Sequence, residues 1–180
     1  MEDPANPHPL PEVTAPGTQA SFGDTITARK AVGILSEDEG WSVLRYTVTQ
    51  IEPGDDSLID TLDDAEDYVG GSVYYVRGTV EVVALFGAGI DGVVGGAIAG
   101  VQDDGYYSAG VFGINASPED CQGDFVISPA SVGASEQSCT VALAKPGAEI
   151  IAAAYYADST VGSGGPSDDP YITDPVLWLP

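Results

Sequence analysis

The chain has 180 residues, with 28 Asp and Glu against five Lys and Arg, and carries a formal net charge of -23. That length suits one domain, and an apolar share of 43% with strings of Val, Ile, Tyr and Ala excludes a wholly disordered polymer. Five scattered cations (Arg29, Lys30, Arg45, Arg77, Lys145) cannot neutralise a phosphate backbone, so no nucleic-acid partner is expected and anionic membrane surfaces are disfavoured.

In chain order, residues 1–21 come first as a leader or tether, extended by Pro4, Pro7, Pro9, Pro11 and Pro16 and flexible unless docked on a partner. Glu2 and Asp3 follow Met1 where a signal peptide would carry basic residues and an apolar run. Either the protein stays inside the cell, or an export signal or lipobox has been removed ahead of Met1; the Pro-rich opening fits the second. The expectation is a secreted or cell-surface protein in mature form, with room for a lipid anchor upstream.

Residues 22–180 read as the folded body. Residues 24–30 begin an alternating segment, and residues 41–51 (WSVLRYTVTQI) continue it, with Leu44, Tyr46 and Val48 on one face and Arg45, Thr47 and Thr49 on the other. Residues 72–86 (SVYYVRGTVEVVALF) place Tyr74, Val76, Val80 and Val82 on one face, as a long central strand or two joined by a bend near Gly78. Between them, residues 52–71 read as a solvated acidic loop, although Leu58, Ile59 and Leu62 are spaced for one helical turn.

Residues 84–101 are the most hydrophobic window, but Asp91 and six glycines argue for a Gly-rich connection rather than a membrane span. Later strands are expected at 97–102, 106–114, 123–127, 137–144, 149–156 and 176–179. Asp103-Asp104-Gly105 reads as a hairpin and Lys145-Pro146-Gly147 as a type II turn, while residues 163–170 form a flexible connection. Many short strands without helical periodicity predict an all-β, immunoglobulin-like antiparallel sandwich of about 7–9 strands.

Cys121 and Cys139, 18 positions apart, are expected to form one disulfide in an exported chain. The short loop they close holds no Trp, which separates the fold from antibody domains. Two cysteines with no nearby His make no zinc site, and there is no Cys-x-x-Cys pair.

The single histidine, His8, lies in the leader, where nothing tunes it, so histidine-based acid-base and nucleophilic catalysis have no candidate. A carboxylate pair for glycoside hydrolysis would need acids on rigid strands, and Glu81 and Glu149 are the two that the strand assignment offers. Calcium is the stronger carboxylate chemistry, with Asp55, Asp56, Asp63, Asp64, Asp103, Asp104, Asp168 and Asp169 as candidate ligands. None of these clusters has the alternating spacing of a calcium loop, so a solvated acidic surface is favoured. No catalytic residue and no cofactor is expected. The Asn115 sequon reads as incidental.

Several segments resemble a known group. They are Gly23-Asp24-Thr25-Ile26-Thr27, residues 46–51 (YTVTQI), the VYYVRGTVEVV strand, PGAEIIAAAYY, and the closing DPVLWLP at 174–180. Over roughly residues 22–180 the chain is similar to small secreted proteins and lipoproteins of actinobacteria with a telokin-like, immunoglobulin-like domain, a family with mycobacterial secreted immunogenic members. The resemblance implies the fold and export, and supplies no catalytic residues.

The expected function is a non-catalytic binding or interaction module whose partner is a protein, with Tyr68, Tyr74, Tyr75, Tyr106, Tyr107, Tyr155, Tyr156 and Tyr171 as candidate contacts. The alternatives are a structural subunit that self-assembles through exposed sheet edges or its leader, and a calcium-binding surface domain.

Overall fold

A computed structural model describes residues 11–32, 40–62, 65–87, 92–94, 98–108, 120–121, 126–155 and 170–180. The strands are β1 (Gln19–Ser21), β2 (Thr25–Val32), β3 (Gly40–Pro53), β4 (Ser72–Phe86), β5 (Val93–Val94), β6 (Ile98–Gln102), β7 (Tyr107–Ser108), β8 (Val126–Ile127), β9 (Ser135–Ala144), β10 (Ile150–Tyr155) and β11 (Val176–Leu179). They form a five-stranded sheet in the order β1-β11-β10-β6-β7, a four-stranded sheet in the order β2-β3-β4-β9, and a small β5-β8 pair.

The two larger sheets pack face to face. The alternation in β3 and β4 turns Leu44, Tyr46 and Val48, with Val76, Val80 and Val82, towards Ile98, Ala153, Tyr155, Val176 and Trp178 of the opposite sheet. Trp178 is fully buried, and its indole N–H is satisfied by the Asp24 carbonyl at 2.9 Å. The sheets approach closely because small residues meet there: a Cβ on Gly100 would lie 2.6 Å from that of Ala142.

β4 is a single strand in the middle of its sheet, spanning the residues that the alternation marked. Its register to β3 slips twice, from Val43 opposite Ala84 to Leu44 opposite Val82, which makes Val83 the extra residue of one bulge, and from Val48 opposite Gly78 to Gln50 opposite Arg77, which makes Thr49 the extra residue of the other. The first of these bulges lies towards the Phe86 end of β4. Beyond that bulge Trp41, Val43, Ala84 and Phe86 cluster on the face away from the main core.

The acidic connection is not a solvated loop. Asp56–Thr61 forms a 3-10 helix capped by Asp55, which buries Leu58 and Ile59. With Leu62 they cover Val73, Tyr75, Val141 and Leu143 on the outer face of the four-stranded sheet, a third layer. Apolar spacing decided the outcome: three buried aliphatic side chains outweigh the acids, which stay at the surface, Asp55 and Asp56 as acceptors of backbone N–H groups. The Cys121–Cys139 disulfide, with Cα atoms 5.3 Å apart, belongs to the same layer and pins the segment at Cys121 to β9.

Two turns are as expected locally. Gly105 (φ +84°) closes the β6–β7 hairpin, and Ala148 N–H donates to the Lys145 carbonyl at 2.9 Å around Gly147 (φ +82°). The second turn joins strands of different sheets, so it is a corner of the sandwich. The assignment of strand acids is corrected. Glu81 stays in β4, while Glu149 precedes β10, and Glu52 and Glu136 lie in β3 and β9.

Part of the stretch read as leader belongs to the body. β1 pairs in parallel with β11, Gln19 opposite Leu177 and Ser21 opposite Leu179. No helix among the described residues is long and apolar enough to cross a membrane.

Candidate functional site

The candidate ligands lie towards one end of the sandwich, Asp103 and Asp104 in the β6–β7 hairpin beside the β9–β10 corner, and Asp55 and Asp56 at the start of the 3-10 segment, where Asp56 is bonded to Val73 near the start of β4. The hairpin and the corner are bonded to each other. Asp103 N–H donates to the Glu149 carbonyl at 3.1 Å, and Glu149 N–H to Asp103 Oδ1 at 3.4 Å. From the four-stranded sheet Tyr74 enters this end, half buried against the main core. Burial pushes its phenol above the ordinary value, and the negative charges of Glu149, Asp56 and Asp103 push in the same direction.

Most of these carboxylates already serve the backbone. Asp55 Oδ1 accepts from Ser57 N–H at 3.0 Å, Asp56 Oδ1 from Val73 N–H at 2.7 Å, and Asp104 Oδ1 from Tyr106 N–H at 2.8 Å. They are turn and cap acceptors, the use to which short acidic side chains are best suited. Among the described residues no three of His, Cys, Asp and Glu are grouped to hold a metal ion. Asp63, Asp64, Asp168 and Asp169 lie outside the described residues, as do His8, Asn115 and Tyr156.

Gln102 sits just inside this end. It is 1% exposed, its Oε1 accepts from Lys145 N–H at 3.2 Å, and its Nε2 is buried without a partner. Alternation did not single out Gln102, because a polar residue at a strand end reads as the start of a turn. On the rim, Tyr106 is 45% exposed with the Lys145 ammonium 4.3 Å from its ring, and Ile151 is 46% exposed.

The tyrosines divide by position. Tyr75 and Tyr155 are core residues, Tyr68, Tyr74, Tyr107 and Tyr171 are half buried, and Tyr106 alone among the described candidates is exposed. Tyr75 packs under the 3-10 layer with its hydroxyl accepting from Asp55 N–H at 3.2 Å, and Tyr155 stacks edge-on against Tyr171 with ring centres 5.2 Å apart.

No protein-family model, no curated protein and no solved structure matches this chain.

Other chemistry is dispersed. Glu81 pairs with Arg45 at 3.4 Å on a solvent-facing surface. It lies seven residues along β4 from Tyr74, hence about 23 Å from the end that holds Glu149. The two acids of a glycosidase stand within about 10 Å of each other, so Glu81 and Glu149 do not form such a pair. The four cations with described side chains are each engaged: Arg45 with Glu81, Arg77 with Glu52 and over Tyr75, Lys145 over Tyr106, and Arg29 3.7 Å from the Trp41 ring, which in turn stacks on Phe86. That stack lies beside the β2 edge and was not anticipated, since Arg29, Trp41 and Phe86 come from three separate strands.

Proposed function

We propose that this protein is a non-catalytic binding module presented outside the cell on an immunoglobulin-like sandwich, with a protein as its partner. The observation that carries the reading is the end just described. The β6–β7 hairpin and the β9–β10 corner are cross-bonded there, with exposed Tyr106 of the hairpin and exposed Ile151 of β10 beside an acidic rim. Recognition surfaces of sandwich folds form in this way, with loops doing the contacting and sheets holding them still.

The immunoglobulin-like assignment draws on the order β6-β10-β11, which has the C-F-G sequence of strands, with β7 in the C′ position. The extra β2–β3 hairpin departs from that plan. Export is supported by the disulfide, which persists in oxidising compartments, and by the likeness to secreted actinobacterial domains. The acidic rim points to a partner of complementary charge.

Photo-crosslinking tests the reading. A photoreactive residue at position 106, on the mature protein added to intact producing cells, is expected to give a saturable adduct with one protein. The same residue at exposed Thr49, on the opposite sheet, is expected to give none. Equal labelling from both positions, or none from either, counts against it.

A further inference from the structure

The outer face of the four-stranded sheet is polar across all four strands over one stretch. Thr25, Thr47, Thr79 and Gln137 stand opposite one another in one row. Two residues along each strand, Thr27, Arg45, Glu81 and Ser135 make a second row in the same register. The two-residue period puts both rows on one face, away from the core-facing Ile26, Tyr46 and Val80. The hydroxyls of Thr25 and Thr47 are hydrogen-bonded at 2.8 Å, and Arg45 meets Glu81 at 3.4 Å. Both register slips between β3 and β4 fall outside the rows, so the grid itself is regular.

The face is covered on either side of this grid and open over it. At one end the 3-10 layer lies on Val73 and Tyr75, and at the other Arg29 lies over Trp41, which stacks on Phe86. Between them Thr25, Ser135 and Gln137 are exposed, and the Arg45 and Glu81 side chains are 46% and 40% exposed. With strands about 4.8 Å apart and rows about 7 Å apart, the grid measures about 14 Å by 7 Å. A protein partner covers about 800 Å² on each side, several times what this band offers, so the occupant is narrow.

Charge narrows its chemistry. Arg45 and Glu81 cancel within the grid, and beside it Arg77 is paired with Glu52. An anionic chain therefore finds little net positive charge here and is repelled by a molecule of net charge -23. What the grid offers is hydroxyl and amide groups that both donate and accept, beside a carboxylate and a guanidinium held next to each other. That set complements the vicinal hydroxyls of a sugar: one donates to the Glu81 carboxylate while its neighbour accepts from the Arg45 guanidinium. A sugar ring is about as long as the strands are apart, so a row can take one ring per strand.

We infer that this grid is a binding site for a neutral polysaccharide, whose chain lies across the strands along the Thr25–Gln137 row with one pair of hydroxyls on Arg45 and Glu81. The inference goes beyond the protein-binding reading and does not rest on it, because the grid lies on the sheet face, away from the end that presents Tyr106.

Affinity electrophoresis of the whole chain tests it, in native gels cast with dextran, glucomannan or xylan, and with polygalacturonate as the charged probe. At least one neutral polymer is expected to retard the protein, and polygalacturonate is expected to leave its mobility unchanged. Thr47→Val with Thr79→Val keeps the shape and strand preference of both residues without their hydroxyls, and is expected to abolish the retardation. Arg45→Gln with Glu81→Gln preserves the net charge and is expected to weaken binding about tenfold, the worth of one charge-assisted hydrogen bond. Ser131→Ala, at an exposed position in the turn before β9, is expected to change nothing. An unchanged near-ultraviolet signal from buried Tyr46 and Trp178 reports that each variant is folded. Retardation by none of the three neutral polymers overturns the inference. So does retardation by polygalacturonate alone, or retardation that survives Thr47→Val with Thr79→Val. None of these failures alters the crosslink expected from position 106.

Discussion

Tyr46 is 1% exposed, and its hydroxyl has no hydrogen-bond partner. Burial raises its phenol well above the ordinary value, with neighbouring Tyr155 adding to the effect. A raised acid favours the protonated folded state, so this contribution is complete below about pH 10, the unfolded phenol value, and is lost as pH rises beyond it. Because the hydroxyl is desolvated and unpaired, Tyr46→Phe is expected to leave stability unchanged or raise it by up to about 1 kcal/mol in urea denaturation. A loss larger than that would show that the hydroxyl is bonded. Asp55 is the opposite case. Its hydrogen bonds from the Ser57 side chain, then the Ser57 backbone, hold its carboxyl below the ordinary Asp value. Stability from this cap is therefore present above the ordinary Asp range and lost as pH falls through the lowered value. Carboxyl-carbon NMR is expected to show Asp55 titrating below free Asp, and Ser57→Ala is expected to move it back up. A midpoint at the ordinary value in the parent protein contradicts the cap.

At the level of elements, the contact between sheets rests on a small residue on each side. Gly100 on β6 faces Ala142 on β9, and an added Cβ would also come within 3.0 Å of Ile150. Gly100→Val forces the sheets apart there, with an expected cost of about 1–3 kcal/mol in the denaturation midpoint. An unchanged midpoint would show that the sheets can separate at this point without loss. Strands were legible where apolar and polar residues alternate, as in β4, whose limits coincide with the marked segment, and where a short apolar run stands alone, as in β11. The 3-10 segment was visible as the spacing of Leu58, Ile59 and Leu62 but lost against its acidic composition. What composition cannot show is that β4 offers a second apolar face at Val73 and Tyr75 for those side chains to cover.

Across the whole molecule, the disulfide ties the third layer to the central sheet. Closing a loop of this length removes disorder from the unfolded chain worth about 3 kcal/mol. Replacing both Cys121 and Cys139 with Ala is expected to lower the unfolding free energy by roughly that amount. Exchange protection should fall first at Leu58 and Leu62, since they share the layer. Loss of less than about 1 kcal/mol would mean that the layer holds without the crosslink.

The candidate end was only half readable. Asp55-Asp56 and Asp103-Asp104 stand out as acidic pairs, yet their separation of nearly fifty residues conceals that Asp56, Asp103 and Glu149 all act on Tyr74. Sequence alone determined the all-β class, most strand positions, both turns and the disulfide, because side-chain alternation, turn residues and a lone cysteine pair are local properties of a chain. Tertiary structure decided which strands share a sheet, that Lys145-Pro146-Gly147 is a corner, that β1 completes a sheet, and which of the described tyrosines are buried, half buried or exposed. Those depend on strand pairing between distant segments, and a periodic pattern of apolar residues specifies a face without specifying its neighbour.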